Sequence, residues 1–344
     1  MKRQLILFGC PRPVGGANTA AGHTALLWRK MDLNVTILPA SKEAESNPWT
    51  ARLAEAGCKI MPPVERNHLP PWLRNAIIVD FAVELCVRLW PELYKRGCKL
   101  VHVPTHCVTL GHEHATFALC PPTVLVCETE FQKRTIGMQY AAYGVQQQPI
   151  IRDAFDPEDF SFQPCPRKNG HFVVGVLARD VPAKWPHRLV KVLEAVRERG
   201  VKLHAHFVGW TPAMAKWSGP LPQWIGHSAP GSIPVSSFMA DLHCLLCLPD
   251  TDENWPRVTM EAMASGVPVV ADNRAGFKEQ LQNGETALLA GSDEESADAI
   301  CRLAEDEELR QRLIVRGRAA LEQIANPALI GAQWKDLFCS LNCP

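Results

Sequence analysis

An excess of charge of either sign is missing from this 344-residue chain: Lys and Arg together number 36, and so do Asp and Glu. Without a global basic field to concentrate phosphate backbones, nucleic acid is not an expected partner, and any partner has to be argued locally. Long apolar runs are missing too, since none approaches the ~20 residues that a bilayer-spanning helix needs. The opening MKRQLILFGCPRP has two basic residues before an apolar stretch, but Leu5–Cys10 is too short for the core of a signal peptide and flows into a glycine loop. It reads as a first β-strand. The expectation is a cytoplasmic protein, compatible with peripheral contact at the inner membrane face. A regular cysteine framework is also absent. The 13 cysteines are scattered, and Cys127, Cys244 and Cys247 fall inside apolar runs, as reduced thiols of a cytosol do. Cys244-x-x-Cys247 has the spacing of a metal motif, but residues three apart on a strand point to opposite faces, so both are assigned to packing and no metal ligands are named.

What is present is a repeated alternation of short apolar runs and amphipathic stretches. The length fits two domains of about 150 residues each. In the first part, Gln4–Phe8, Asn34–Leu38, Lys59–Met61, Ala76–Val79, Leu100–Val103 and Thr123–Cys127 read as strands, with helices over Thr19–Lys30, up to Gly57, and over Ala82–Arg96. In the second, Phe172–Leu177, Leu203–Val208 and Gln223–Gly226 are strand-like, and His187–Arg199 is an amphipathic helix closed by Gly200. Charged helices follow over Glu294–Leu303 and Glu307–Ala325. Strands alternating with helices predict an α/β protein with parallel, doubly wound sheets. The segment Ser161–Gly170, with Pro164 and Pro166, reads as the hinge.

The chain is organised around Asp241–Ala290. Leu242–Leu248 is apolar enough for a buried parallel strand, Arg257–Ser265 is helical, and Val267–Ala271 is a second short strand. Asp250, Asp252 and Glu253 sit between strand and helix, and Glu261 follows eight residues after Glu253. Pro256, taken as the first helical residue, has no N–H, and no capping side chain precedes it. The amides of Arg257, Val258 and Thr259 are therefore expected to stay available, and a helix N-terminus with available amides attracts anions. Phosphate on the amides and hydroxyls on the two carboxylates together describe a nucleotide-sugar. Independently, Arg179 and Lys184, five apart after a strand, can converge on one diphosphate, Arg by its fork and Lys as a point charge.

Glu253 and Glu261 with the intervening NWPRVTM, then AMASGVPVVA and GETALL, resemble the E-x7-E region of retaining GT-B glycosyltransferases of the family-4-like group. The resemblance implies a GT-B fold, with two Rossmann-like doubly wound domains facing a central cleft. It implies an N-terminal acceptor domain over 1–160, joined by a C-terminal helix at 327–344, and a nucleotide-sugar donor domain over 171–326. In that group the first Glu contacts the donor sugar and the second the ribose, which assigns those roles to Glu253 and Glu261. Arg179 and Lys184 fall on the family's R-x4-K pair, which neutralises the leaving diphosphate, and Gly15 and Gly16 on its Gly-Gly loop near the donor phosphates. Among His102, His106, His112, Glu113 and His114, His106 best matches the family's histidine near the reacting sugar, with His102 second; an ordinary loop or core histidine is the competing reading of either. Two departures stand out: Glu253-Asn-Trp-Pro256 replaces a glycine-rich start, with Trp255 available to wall the sugar pocket, and Trp185 replaces the glycine after Lys184.

The implied activity is a retaining glycosyltransferase that moves a sugar from a nucleoside-diphosphate sugar to a hydroxyl of a glycan, a lipid-linked or a small-molecule acceptor, without metal or other cofactor. Three rivals remain open. Asp250-Thr-Asp252 is a D-x-D, which would suit a metal-dependent transferase of another fold. Trp255-Pro256 would also suit a catalytically inactive nucleotide-sugar-binding or partner protein of the same fold. A GT-B-like epimerase is the third.

Overall fold

The structure, a computed structural model, describes residues 3–9, 11–12, 15–43, 47–64, 68–166 and 170–342. Cys10, Pro13 and Val14 of the expected glycine loop, and Arg167, Lys168 and Asn169 of the expected hinge, lie outside the described residues. The chain divides into two units, Met1–Phe155 with Ala325–Pro344, and Asp156–Ile324.

In the first unit β1 (Leu5–Phe8), β2 (Val35–Leu38), β3 (Lys59–Ile60), β4 (Ile77–Asp80), β5 (Lys99–His102) and β6 (Val124–Leu125) form a parallel sheet in the order β3-β2-β1-β4-β5-β6. Successive strand residues face opposite sides, and both sides are covered. Leu5 and Leu7 join one core cluster, Ile6 and Phe8 the other, so that all four residues of β1 are buried. The crossovers carry α1 (Gly16–Lys30), α2 (Pro48–Glu55), α3 (Glu84–Lys95) and α4 (Gly111–Phe117), and a π-turn at Lys133–Gly137 joins α5 (Glu130–Gln132) to α6 (Met138–Ala142). α1 begins at Gly16, three residues before the expected start, because Gly15 turns the chain at φ 107°, a conformation that costs glycine little. The first turn of α4 is closed by the Glu113 carboxylate, which accepts from the Leu110 N–H at 2.8 Å.

The second unit repeats this plan. β7 (Phe172–Leu177), β8 (Leu203–Val208), β9 (Ile225–Ser228), β10 (Cys244–Cys247), β11 (Val269–Asp272) and β12 (Leu288–Ala290) are parallel in the order β12-β11-β10-β7-β8-β9. α7 (Arg188–Glu198), α8 (Ala215–Ser218), α9 (Val235–Ala240), α10 (Arg257–Ser265), α11 (Ala275–Gln280), α12 (Asp293–Glu305) and α13 (Glu307–Ile324) connect and cover them. Cys244 and Cys247 are buried in β10, and burial pushes both thiols up, away from the thiolate a metal would need. The described part of the expected hinge lies on this unit: the Gln163 N–H donates to the Ser265 carbonyl, and Phe162 and Pro164 cover Gly266, the left-handed stop of α10. The final helix, α14 (Pro327–Ser340), belongs to the first unit, where Trp334 and Phe338 meet the fully buried Trp28 of α1 edge-on at 5.1 and 5.3 Å.

In both sheets the chain reverses its winding direction beside the first strand, between β1 and β4 and between β7 and β10. Ligands of doubly wound sheets bind outside the strand ends at these points. No helix among the described residues is long and apolar enough to cross a membrane.

Candidate functional site

At the β7/β10 reversal two loops meet. The loop after β7 carries Arg179 and Lys184, and its shape depends on Trp185. The buried indole N–H donates to the Arg179 carbonyl at 2.8 Å, while the ring packs on Phe207 of β8. Trp185 thus staples the turn from inside, which explains how the chain dispenses with the glycine expected there. Gly209 completes the staple, because a Cβ at that position would stand 1.7 Å from the Ala178 carbonyl oxygen. Arg179 is exposed and Lys184 partly buried.

The loop after β10 carries Asp250, Asp252, Glu253 and Trp255. Its Asp250 N–H donates to the Ala183 carbonyl at 2.8 Å, and the Lys184 ammonium pairs with the Glu253 carboxylate, so the two loops are joined by backbone and by charge. From the other side, the Gly276 N–H donates to the Glu253 carbonyl at 2.9 Å, and a Cβ on Gly276 would lie 1.5 Å from the Asn254 carbonyl oxygen. Arg274 holds the base of the loop, binding the Pro249 carbonyl, Asp252 at 2.8 Å and Asp272 at 3.3 Å. Burial raises Asp272 above its ordinary range, and the guanidinium groups of Arg188 and Arg274 pull it back. With Asp252 paired to Arg274, the D-x-D is part of this scaffold. Among the described residues no group of three or more His, Cys, Asp or Glu is arranged to hold a metal ion.

α10 starts at Arg257, with Pro256 as its cap residue and not as its first helical residue, and no side chain caps its N-terminus. The Thr259 side chain is buried and its hydroxyl turns inward to the Pro256 carbonyl at 2.6 Å and to Gln280, so only its backbone faces the task expected of it. Val258 is partly exposed. Glu261, one turn beyond the buried Arg257, is raised by burial, and Arg257 opposes that rise. Trp255 is 5% exposed and forms the floor of the loop more than a free wall.

In the first unit, Gly15 and Gly16 form the turn into α1. The histidine cluster beyond β5 is a row of alternating carboxylates and imidazoles. β4 and β5 pair in register at Asp80 and His102, which places His102 Nδ1 2.9 Å from Asp80 Oδ1. Glu113 of α4 brings Oε1 to within 3.2 Å of His102 Nε2 and 3.3 Å of His106 Nε2. Asp80, His102 and Glu113 are fully buried, while the His106 side chain is 22% exposed. Burial disfavours a charged His102, but the two carboxylates outweigh it and raise its pKa to about 9; Glu113 is held well below the carboxylate range by the two histidines against the same desolvation. His102, the second-choice substrate histidine, is thereby corrected to an interior residue. Asp80, Gly276 and Arg274 were not foreseen. A charged residue ending the apolar run Ile77–Asp80 and the pair Ala275-Gly276 after a strand were the available signals.

Two Rossmann-like units, each wound 3-2-1-4-5-6, make this the GT-B architecture of glycosyltransferases. Residues 158–320 match the family Glycosyl transferases group 1. Among similar proteins, the capsular polysaccharide biosynthesis glycosyltransferase CapM of Staphylococcus aureus is 26% identical over 185 residues, 51% of this chain and 47% of CapM. The GDP-mannose-dependent alpha-(1-6)-phosphatidylinositol monomannoside mannosyltransferase of Mycobacterium tuberculosis is 30% identical over 173 residues, covering 46% of this chain and 43% of that protein. The chain thus spans about half the length of these curated relatives. Its fold is shared throughout with Anabaena Alr3699/HepE, solved in complex with UDP-glucose, at a TM-score of 0.74 and 16% identity over 99% of this chain and 100% of that one.

Proposed function

We propose that the protein is a retaining glycosyltransferase that moves a sugar from a nucleoside-diphosphate sugar to an acceptor hydroxyl, in glycan or glycolipid synthesis. The observation that carries this reading is the meeting of Lys184 and Glu253 at the β7/β10 reversal beside the uncapped start of α10. That corner offers one cation, one carboxylate and a set of helix amides within a single pair of loops. Diphosphate recognition asks for the cation and the amides, and sugar hydroxyls ask for the carboxylate.

In this reading Arg179, Lys184 and the amides of Arg257, Val258 and Thr259 stabilise the diphosphate as it departs, the large electrostatic contribution to such a transfer. Glu253 orients the donor sugar, with Trp255 beneath it, and Glu261 binds the ribose. Gly15 and Gly16 let backbone approach the donor, and His106 contacts the reacting sugar. The bond from the anomeric carbon to the diphosphate oxygen breaks with its electron pair leaving on the diphosphate. The acceptor oxygen bonds to the same face, and its proton passes to the departing oxygen. No metal ion is required. The relative solved with UDP-glucose and the relative named as GDP-mannose-dependent support a nucleoside-diphosphate sugar as donor.

A thermal-shift screen of UDP-, GDP- and ADP-sugars, followed by transfer assays with the stabilising donor, tests the proposal, because a ligand that binds only the folded state raises its melting temperature. Stabilisation by one nucleotide series, with transfer to a hydroxyl acceptor and retained anomeric configuration by NMR, is expected. Stabilisation by none overturns the proposal, as does an inverted product.

A further inference from the structure

Only one end of the Asp80–His102–Glu113–His106 chain reaches the surface, and that end is His106. An ionised carboxylate can only accept, so one lying close to a ring nitrogen favours the proton on that nitrogen. His102 has a carboxylate at both nitrogens and is an imidazolium balanced between Asp80 and Glu113. Glu113 accepts from the Leu110 N–H with Oε2, and its Oε1, without a hydrogen-bond partner among the described residues, lies 3.2 Å from His102 Nε2 and 3.3 Å from His106 Nε2. Neither His106 ring nitrogen has a hydrogen-bond partner among the described residues, but Nε2 stands 3.3 Å from Glu113 Oε1, and a carboxylate at that distance favours the proton on Nε2. The backbone under His106 is fixed separately. The buried Gln132 amide donates to the carbonyls of Pro104, at 2.6 Å, and His106, at 2.9 Å, while its oxygen accepts from the Glu128 N–H. Fixing the peptide leaves ring rotation and tautomer as the remaining freedoms.

We propose that Glu113, seated on the Asp80–His102 pair, is the positioning residue of His106, holding its ring as the Nε2–H tautomer in the orientation that the transfer uses. A lone buried carboxylate would be costly to maintain; the imidazolium of His102 behind it makes a charged orienting group tolerable in the interior. At metal-bound histidines, removing the carboxylate that orients the ring typically costs about 10-fold or more in metal affinity or activity, and a loss of similar order is expected here. The inference rests on the role proposed for His106 in glycosyl transfer.

Two measurements separate its failure from the failure of that role. Imidazole 15N–1H correlation spectra of the labelled wild-type protein read the His106 tautomer without any turnover. Nε2–H is expected at neutral pH, shifting toward a mixture in Glu113→Gln; an Nδ1–H tautomer in wild type, or an unchanged one in Glu113→Gln, overturns the positioning. In transfer assays, Glu113→Gln and His106→Ala are each expected to lower kcat about 10-fold with KM for the donor little changed, and the double variant to fall no further than His106→Ala. Additive losses overturn the proposal in favour of a purely structural Glu113. Should no nucleotide-sugar be turned over by wild type, the glycosyltransferase reading fails while the spectra still decide the positioning. Should Glu113→Gln not fold, the wild-type spectrum decides alone.

Discussion

Lys184 and Glu253, 69 residues apart in the chain, form an ion pair that joins the loops after β7 and β10. The two residues have separate tasks in the proposed transfer, phosphate for one and sugar for the other, and in the unliganded protein each serves as the other's counter-charge.

The pair is partly buried, so removing one partner leaves the other under-solvated. Lys184→Ala and Glu253→Ala are each expected to cost about 1–3 kcal/mol in urea unfolding, between exposed and buried pairs. The double variant is expected to be less destabilised than the sum. Nucleoside diphosphate affinity should fall about 10- to 100-fold in Lys184→Ala, the worth of one charge-assisted hydrogen bond, as isothermal titration would read. Additive stabilities would mean that the two charges do not interact in solution.

Gly276→Ala introduces a methyl group where the Asn254 carbonyl stands 1.5 Å away. The loop bearing Glu253 must then move. A stability loss of about 1–3 kcal/mol is expected, together with a donor affinity at least as impaired as in Glu253→Ala. Calorimetric melting and donor titration on the same sample check both; wild-type donor affinity would show that loop position is unimportant.

The pH dependence follows from the buried chain. His102 is raised from its ordinary 6.5 to about 9, so the stability it contributes is complete below pH 6.5 and is lost as pH rises through 9. Glu113 is lowered from 4.5, so its contribution is present above pH 4.5 and is lost as pH falls through its depressed pKa. The other titratable groups around them are His106, Tyr140 stacked on His102 at 5.9 Å, and the thiols of Cys86 and Cys127; burial raises the phenol and both thiols, which stay neutral over this range. The melting temperature should therefore decline between pH 6.5 and 9.5 in wild type, with a flatter profile in His102→Gln. Parallel profiles would remove His102 as the source.

Chelation is expected to leave transfer unchanged. Asp252 is engaged by Arg274, and the proposed reading gives the diphosphate to cations and amides of the protein. Transfer assayed in EDTA, with and without added Mg²⁺ or Mn²⁺, checks this; loss of activity restored by either ion would reinstate the D-x-D as a metal site.

Much of the second unit was legible because its elements are marked locally. β8 has the expected limits, Leu203–Val208, and α10 ends as expected at Ser265, since a turn and the stop at Gly266 bound them. Pairings were not legible. Asp80 and Glu113 are 33 residues apart and flank His102 from its two nitrogens through the register of β4 with β5 and the placing of α4, neither of which leaves a spacing rule in the sequence. For the same reason His102 looked like a second candidate for substrate when it is interior, and Trp185 looked like a lost glycine when it is a brace. Arg274 reads as one more surface cation until Pro249, Asp252 and Asp272 are seen around it.

The closing helix of the first unit bears on how the protein is made. Trp28 is sealed by Trp334 and Phe338, more than 300 residues later in synthesis, whereas every strand and helix of the second unit is continuous between Asp156 and Ile324. On the ribosome, the unit begun first is therefore completed last. Until α14 emerges, Trp28 lacks the two rings that cover it, and chaperone engagement of the nascent first unit is expected there.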